Sequence, residues 1–278
     1  MTNAPMYLIN NVDRIRNIEQ QAFSWSKAYN VQENHTYSEH GRQAMAELQT
    51  QFNGSLKRDE VINLFISPET YYLGFLASNV WGGISVRNGH FRSALTYEKE
   101  IIENIIKSIN DAFATNSKEE IRNIYLSLYG GENHIMGIGP SYFTKLFFFI
   151  GQANDEIMLK PLIFDKWTQN AFFALLSQIK EYDLLSQFFN QKVNLKHSRR
   201  LNRNICTISL RGNVDNKFEA YWKFINLLNE WAKILNVPVS KIEEFVFGIA
   251  LNKYPSLTNP RVELSDIIYR YKFPNNTI

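Results

Sequence analysis

Ile135-Met136-Gly137-Ile138-Gly139-Pro140-Ser141-Tyr142-Phe143-Thr144-Lys145 leads into a short apolar run and then into Pro161-Leu162-Ile163-Phe164-Asp165-Lys166-Trp167. The stretch predicts a tight hairpin, a helix, a loop and the start of a second helix. Gly137 and Gly139 flank a single apolar residue, Ile138, and Pro140 follows at once. Proline suits the first turn of a helix, where its missing N–H has no intrahelical partner to lose. Glycines just before a helix leave backbone N–H groups bare, and the helix dipole adds partial positive charge there. Such a corner binds a phosphate without a basic side chain.

Laid out at about 100° per residue, the helix from Pro140 to near Ile150 puts Tyr142, Phe143, Leu146, Phe147 and Ile150 on one apolar face. Ser141, Thr144, Lys145 and Phe148 fall on the other. Lys145 is therefore expected as a lone amine on the face away from the core, one turn below Ser141. Asp165 comes 20 residues after Lys145, at the start of the next helical segment. A lysine on one helix and an aspartate at the N-terminus of the next can face the same cleft.

These residues resemble a known family. Ile-Met-Gly-Ile-Gly is similar to the hairpin of helix–hairpin–helix DNA glycosylases, whose usual form is Leu-Pro-Gly-Val-Gly. In that family a lysine on the following helix and an aspartate roughly twenty residues further on do the chemistry. Phe164-Asp165-Lys166-Trp167 matches the position and flanks of that aspartate. The wording from Gly139 to Lys145, with Pro161 to Asp165, looks most like a bacterial group of 8-oxoguanine-glycosylase-fold proteins. The resemblance covers about residues 119–170, and it departs from the family pattern at two points. Met136 stands in place of the hairpin proline, and Lys145 comes one helical turn later than usual, with Ser141 in the customary slot. The resemblance implies a mainly α fold: one two-lobed helical unit over residues 1–278 with a helix–hairpin–helix segment at about 118–170. It also implies Asp165 and Lys145 as the catalytic pair and Gly137, Gly139 and Ser141 as contacts to DNA.

Composition agrees with a large core and places limits on partners. The chain has 278 residues, of which 45% are hydrophobic and 14% aromatic, and its formal net charge is +3. Its 20 Phe and 14 Tyr also offer rings for stacking on bases. The mildly basic balance is compatible with DNA without demanding it. A single cysteine, Cys206, excludes both a disulfide framework and a four-cysteine iron–sulfur cluster. The N-terminus lacks a basic region followed by an apolar core, and no apolar run approaches a membrane span. A cytoplasmic monomer with no cofactor, no metal and no membrane partner is expected. His134 has no second histidine or carboxylate at metal-ligand spacing.

Upstream of the hairpin, Ser117 predicts the cap of a helix over about Lys118–Tyr129, with Glu120 completing a capping box. Before it, a helix over Thr96–Ala114 is predicted, with Thr96 as N-cap and a stripe of Ile101, Ile102, Ile105, Ile106 and Ile109. Trp81 to Arg92 breaks the helical pattern with three glycines and two arginines. It reads either as a DNA-facing loop, with Arg87 and Arg92 on phosphate or an orphaned base and Asn88 hydrogen-bonding, or as a solvated linker. Earlier still, helices are predicted over residues 10–30, over Ser38–Phe52 with Asn53-Gly54 closing it, over Lys57–Ile66 and from Ser67 to Trp81.

Downstream, Trp167 to Gln191 has a helical pattern. The most basic stretch follows, with Lys192, Lys196, His197, Arg199, Arg200 and Arg203 close together. Lys196, Arg199 and Arg200 either track phosphates or stand on a solvated loop. Ile205–Leu210 alternates like a short strand. Helices are then predicted over about Lys217–Asn236 with Asp215 as cap, from Pro238 and Ser240 to about Asn252, and over Leu264–Tyr271.

Removing a base from duplex DNA requires flipping it out of the stack. Breaking the N-glycosidic bond builds positive charge on the sugar, which a nearby carboxylate stabilises, or the carboxylate activates the attacking nucleophile. Asp165 is the candidate for that work. A desolvated Lys145 would attack the sugar carbon itself and give a Schiff base with strand cleavage. As a phosphate contact it would instead leave Asp165 to activate water. Three readings stay open: a DNA glycosylase acting on an oxidised purine or on a modified base of phage DNA, a non-catalytic helix–hairpin–helix DNA-binding protein, and a helical scaffold that meets no nucleic acid.

Overall fold

The structure, a computed structural model, describes residues 3–19, 22–24, 38–84, 95–199, 201–249, 254 and 256–275. The chain, expected as one two-lobed unit, is organised as two compact units. Gln20–Ile163 form one, and Met1–Glu19 with Phe164–Ile278 form the other. Helices dominate both.

The chain opens with two short helices, α1 (Met6–Asn10) and α2 (Val12–Arg16). The long helix expected over residues 10–30 is not formed. Asn17 closes α2 by donating its N–H to the Asp13 carbonyl, and Phe23–Ser24 form strand β1 instead. β1 pairs antiparallel with β2 (Ser55–Leu56), Phe23 opposite Leu56. Leu56 is wholly buried, so tertiary burial overrides a weak local periodicity at this point.

Helix α3 (Glu39–Phe52) begins where Ser38 Oγ accepts the Gly41 N–H and ends at Asn53 in the left-handed region. Both signals are explicit in the sequence. Helix α4 (Arg58–Asn63) and a 3₁₀ turn (Pro68–Thr70) lead to α5 (Tyr71–Trp81). Every residue of α5 from Tyr72 to Trp81 is buried. That follows from a segment with no charge and apolar side chains all round.

Helix α6 (Lys99–Ala114) starts later than expected: Glu98, not Thr96, is its N-cap. Ile102, Ile105, Ile106, Ile109 and Phe113 fill the core, while Ile101 is 47% exposed. The spacing i, i+3, i+4, i+7 runs from Ile102, and Ile101 lies one residue, about 100°, off that stripe. Helix α7 (Lys118–Gly130) is capped by Ser117 as predicted, and α8 (Pro140–Ala153) follows the hairpin. Rings knit this unit together. Phe147 packs edge-on to Phe113 with centroids 5.1 Å apart, Phe143 to Tyr125 at 5.0 Å and Phe149 to Trp81 at 5.3 Å.

The other unit is built on α9 (Lys166–Gln178), whose residues Asn170–Leu176 are all buried. The helical stretch expected to run to Gln191 breaks after α9, because Lys180 takes a φ of 60°. Helix α10 (Tyr182–Phe188) is a separate short element. The basic stretch forms strand β3 (Asn194–Ser198), which pairs antiparallel with β4 (Arg203–Thr207), Lys196 opposite Ile205. The strand expected at Ile205–Leu210 is therefore shifted toward the N-terminus, and its partner is the segment read as a loop.

Helix α11 (Val214–Leu235) is capped by Asn213, with Asp215 in its first turn rather than at the cap. Helix α12 (Val239–Phe247) stops at Gly248, whose φ of 61° ends it short of Asn252. Helix α13 (Pro260–Lys272) starts four residues before the expected Leu264, with Asn259 as cap and Pro260 in the first turn. Phe164 stacks on Phe224 with centroids 4.8 Å apart, and Phe172 meets Phe224 edge-on at 5.4 Å. The N-terminal residues join this unit through Tyr7, whose hydroxyl donates to Glu263 at 2.6 Å and whose N–H donates to Gln178 at 2.9 Å.

Candidate active site and DNA-binding surface

The glycine-bounded turn forms as its composition requires. Ile138 donates its N–H to the Ile135 carbonyl at 2.9 Å, and Gly137 at the third position has a φ of 83°. A positive φ at that position favours glycine. Tyr97, which sequence reasoning did not single out, pins both sides of the turn. Its hydroxyl accepts the Met136 N–H at 3.1 Å and donates to the His134 carbonyl at 3.4 Å. Met136 itself is 66% exposed.

Gly139 is the N-cap of α8 and has no side chain to satisfy the first turn. A Cβ built on Gly139 would meet nothing within 4 Å, so the space in front of it is open. Among the described residues the N–H groups of Gly139 and Ser141 have no protein acceptor. These are the conditions under which a helix start holds an anion. Ser141 and Gly137 are half-buried beside it.

Lys145 does not lie where the helical wheel puts it. The two-faced reading of α8 fails, because Phe143 through Gly151 are all buried. Lys145 is only 4% exposed, Thr144 0% and Phe148 1%. Helices α4, α5 and α6 all pack on α8, so no face is left for water. The Lys145 stem runs against Gly82, where a Cβ would come within 2.8 Å of Lys145 Cδ. Its Nζ donates back to the Ser141 carbonyl one turn earlier and lies 5.4 Å from the centre of the Tyr142 ring.

Asp165 belongs to the other unit and is half-buried at the N-cap of α9. Its Oδ1 accepts the N–H of Trp167 at 2.9 Å and of Thr168 at 3.3 Å. The Thr168 hydroxyl donates to the Asp165 carbonyl at 3.1 Å, and Gln169 Nε2 to the Phe164 carbonyl at 3.1 Å. The carboxylate is thus fixed by two backbone donors at the positive end of a helix dipole.

Arg261, on the first turn of α13, stands in the same neighbourhood. It is 8% exposed, and its guanidinium lies 4.5 Å from the centre of the Trp167 ring and 4.9 Å from that of Phe247. Burial pulls its pKa down to about 10, and the charge of Asp165 works against that shift. Sequence reasoning missed this residue by starting α13 at Leu264. Asn259-Pro260, an N-cap followed by a first-turn proline, is the signal that places Arg261 at the helix start.

In the basic stretch, Lys196 and Arg199 are exposed, as are Lys192 and His197. Arg203 is committed to an ion pair with Asp266 of α13. The Cys206 N–H donates to Ser265 of the same helix at 2.7 Å, so β4 is anchored and β3 carries its cations outward. Arg87, Asn88, Arg92 and Arg200 lie outside the described residues. Among the described residues no group of three or more His, Cys, Asp or Glu side chains could hold a metal ion. No helix among them is long and apolar enough to cross a membrane.

The chain is thus mainly helical, with a glycine-bent start to α8 and an aspartate capping α9. The model of one family matches residues 16–247, and that family is described as "Putative 8-oxoguanine DNA glycosylase OGG-like protein". The chain belongs to this OGG-like family. No curated protein and no solved structure matches it. The matched span contains the hairpin, Lys145, Asp165 and the β3–β4 hairpin, and it stops short of Arg261.

Proposed function

We propose that this protein is a DNA glycosylase that flips a damaged or modified base out of double-stranded DNA and releases it, with Asp165 as the catalytic carboxylate. The observation that carries the reading is the fixed, half-buried Asp165 at the start of α9 in a member of the OGG-like family. As the bond between base and sugar lengthens, positive charge grows on the sugar, and a carboxylate held in place stabilises it without having to reorganise. The base leaves with the bonding electrons, water adds to the sugar carbon, and the proton that water gives up to the carboxylate passes on to the departing base. The products are a free base and an abasic site.

The open helix start at Gly139 and Ser141, with the turn at Gly137, supports a role in gripping the sugar-phosphate chain. The exposed Lys196 and Arg199 support phosphate contacts. We assign Arg87, Asn88, Arg92 and Arg200 to the same DNA contact on sequence grounds. Lys145 is the candidate for an associated lyase step, in which its amine replaces water and the sugar is held as a Schiff base. The protein acts as a monomer in the cytoplasm on this reading, in repair if the base is an oxidised purine and in defence if it is a modified base of phage DNA.

The test is a panel of duplexes, each carrying one modified base, followed by alkali to reveal abasic sites. The description of the family makes 8-oxoguanine the first base to try. Base release lost in Asp165→Asn with DNA binding retained supports the reading. The second reading, a DNA-binding protein without base release, rests on the capping bonds of Asp165, which need no chemistry to explain them. DNA affinity with no abasic sites from any duplex would favour it. Borohydride trapping of an enzyme–DNA adduct, lost in Lys145→Gln, would assign the lyase step to Lys145.

A further inference from the structure

Trp167 connects Asp165 to a buried cation. Its backbone N–H meets Asp165 Oδ1 at 2.9 Å, and its ring lies 4.5 Å from the Arg261 guanidinium carbon. The guanidinium is confined on further sides. Arg261 Nε donates to the Phe247 carbonyl at 2.7 Å, and the Phe247 ring centre is 4.9 Å away. Gly248 leaves room for the stem, since a Cβ there would sit 3.0 Å from Arg261 Cγ. The backbone N–H of Arg261 is held by Asn259 Oδ1 at 3.1 Å. Asn259, wholly buried, is itself fixed by donating to the carbonyls of Ile249 and Tyr254 at 2.8 and 2.9 Å.

The Asn259 bonds fix the helix start that carries Arg261, while the side chain itself is held by the Phe247 carbonyl and by the Trp167 and Phe247 rings. A buried guanidinium is costly unless an anion faces it, and a methionine would fill the slot between the two rings at no such cost. We propose that Arg261 is the positioning residue for Asp165: its charge complements the carboxylate, and its stack on Trp167 holds the start of α9 in one geometry. The inference rests on Asp165 being the carboxylate that drives base release. Arg261 touches neither base nor sugar in this account. It works by keeping the carboxylate where the charge on the sugar will develop, a placement that catalysis needs to within a fraction of an ångström.

The experiment is single-turnover base release at saturating enzyme, on the duplex of the panel that the wild type processes fastest. The variants are Arg261→Met, Arg261→Lys, Asp165→Asn and the double variant Asp165→Asn/Arg261→Met, with DNA affinity and thermal unfolding measured beside each. Arg261→Met is expected to slow base release by roughly tenfold or more, while DNA affinity stays within about twofold. Arg261→Lys, which keeps the charge, recovers most of the rate. The double variant is no slower than Asp165→Asn alone, because the two residues act as one unit. If Arg261→Met does not fold, Arg261→Gln takes its place in the comparison.

Equal rates for the methionine and lysine variants would overturn the inference and leave the role of Asp165 standing, as would an additive loss in the double variant. Undiminished release by Asp165→Asn, or no release from any duplex by the wild type, would instead overturn the reading of Asp165 and take this inference with it.

Discussion

Gly82 and Lys145 are in direct contact: a Cβ added at Gly82 would stand 2.8 Å from Lys145 Cδ and 3.3 Å from Cε. Gly82 has an ordinary right-handed backbone, φ −67° and ψ −7°, so its lack of a side chain answers to space rather than to conformation. The added methyl would crowd the buried Lys145 stem and come within 3.1 Å of the Ser78 carbonyl, so the lysine must give way in a packed interior. Gly82→Ala is therefore expected to lower stability by about 1–3 kcal/mol and to displace the Lys145 amine. If Lys145 attacks the sugar, borohydride trapping falls several-fold, on the order of what a misplacement near 1 Å costs. Unchanged trapping in Gly82→Ala would show that the amine does not depend on this contact.

Gly151 presents the opposite case. A Cβ there would run into the Pro161 ring at Cγ and Cδ. A proline ring cannot rotate away, so either α8 or the loop after it must shift. Gly151→Ala is expected to destabilise the protein by about 1–3 kcal/mol, read as a lower thermal midpoint. A midpoint equal to the wild type would mean that Pro161 is not held against α8.

The single thiol is a probe of the anchored β hairpin. Cys206 is 1% exposed, and burial pushes its pKa up to about 11. Only the thiolate alkylates quickly. Native protein at pH 8 is expected to resist maleimide, whereas the unfolded chain, with a thiol near its ordinary value of about 8.5, reacts at once. The folded pKa lies above the unfolded one, so this group's contribution to stability is complete below the unfolded pKa. It declines as pH rises from there toward 11, because only the unfolded chain then gives up its proton. Rapid labelling of native protein at pH 8 would contradict the burial of β4.

Lys196 lies on β3 opposite Ile205 and Arg199 in the turn that follows, both with exposed side chains, so neutralising them leaves the hairpin intact. If they track phosphates, Lys196→Gln/Arg199→Gln reduces the slope of log affinity against log salt by about two, one per contact. A slope equal to that of the wild type would assign them to a solvated surface.

Much of this architecture is legible in the sequence where a local signal is strong. Ser38, Ser117 and Asn53 mark helix ends that form as predicted, because a cap is decided by one side chain and the backbone next to it. Gly137 is legible for the same reason. The failures have tertiary causes. Lys145 occupies a polar position on a helical wheel, yet packing from three helices leaves α8 no wet face, and no periodicity within the helix records what its neighbours do. Residues 194–198 look like a loop because strand β3 exposes nearly all of its side chains, and only its pairing with β4 makes it a strand. Arg261 lies 96 residues from Asp165, and its place beside Trp167 follows from the packing of α13 on α9.

Asp165→Asn separates the proposed role of the carboxylate in base release from its role as a helix cap. Asparagine caps a helix about as well as aspartate, so the start of α9 and the binding of DNA are kept while the charge is removed. Alkali-revealed abasic sites, counted on the duplex that the wild type processes, are predicted to fall by about a hundredfold or more, with DNA affinity unchanged. Abasic sites formed by Asp165→Asn at the wild-type rate would contradict the account.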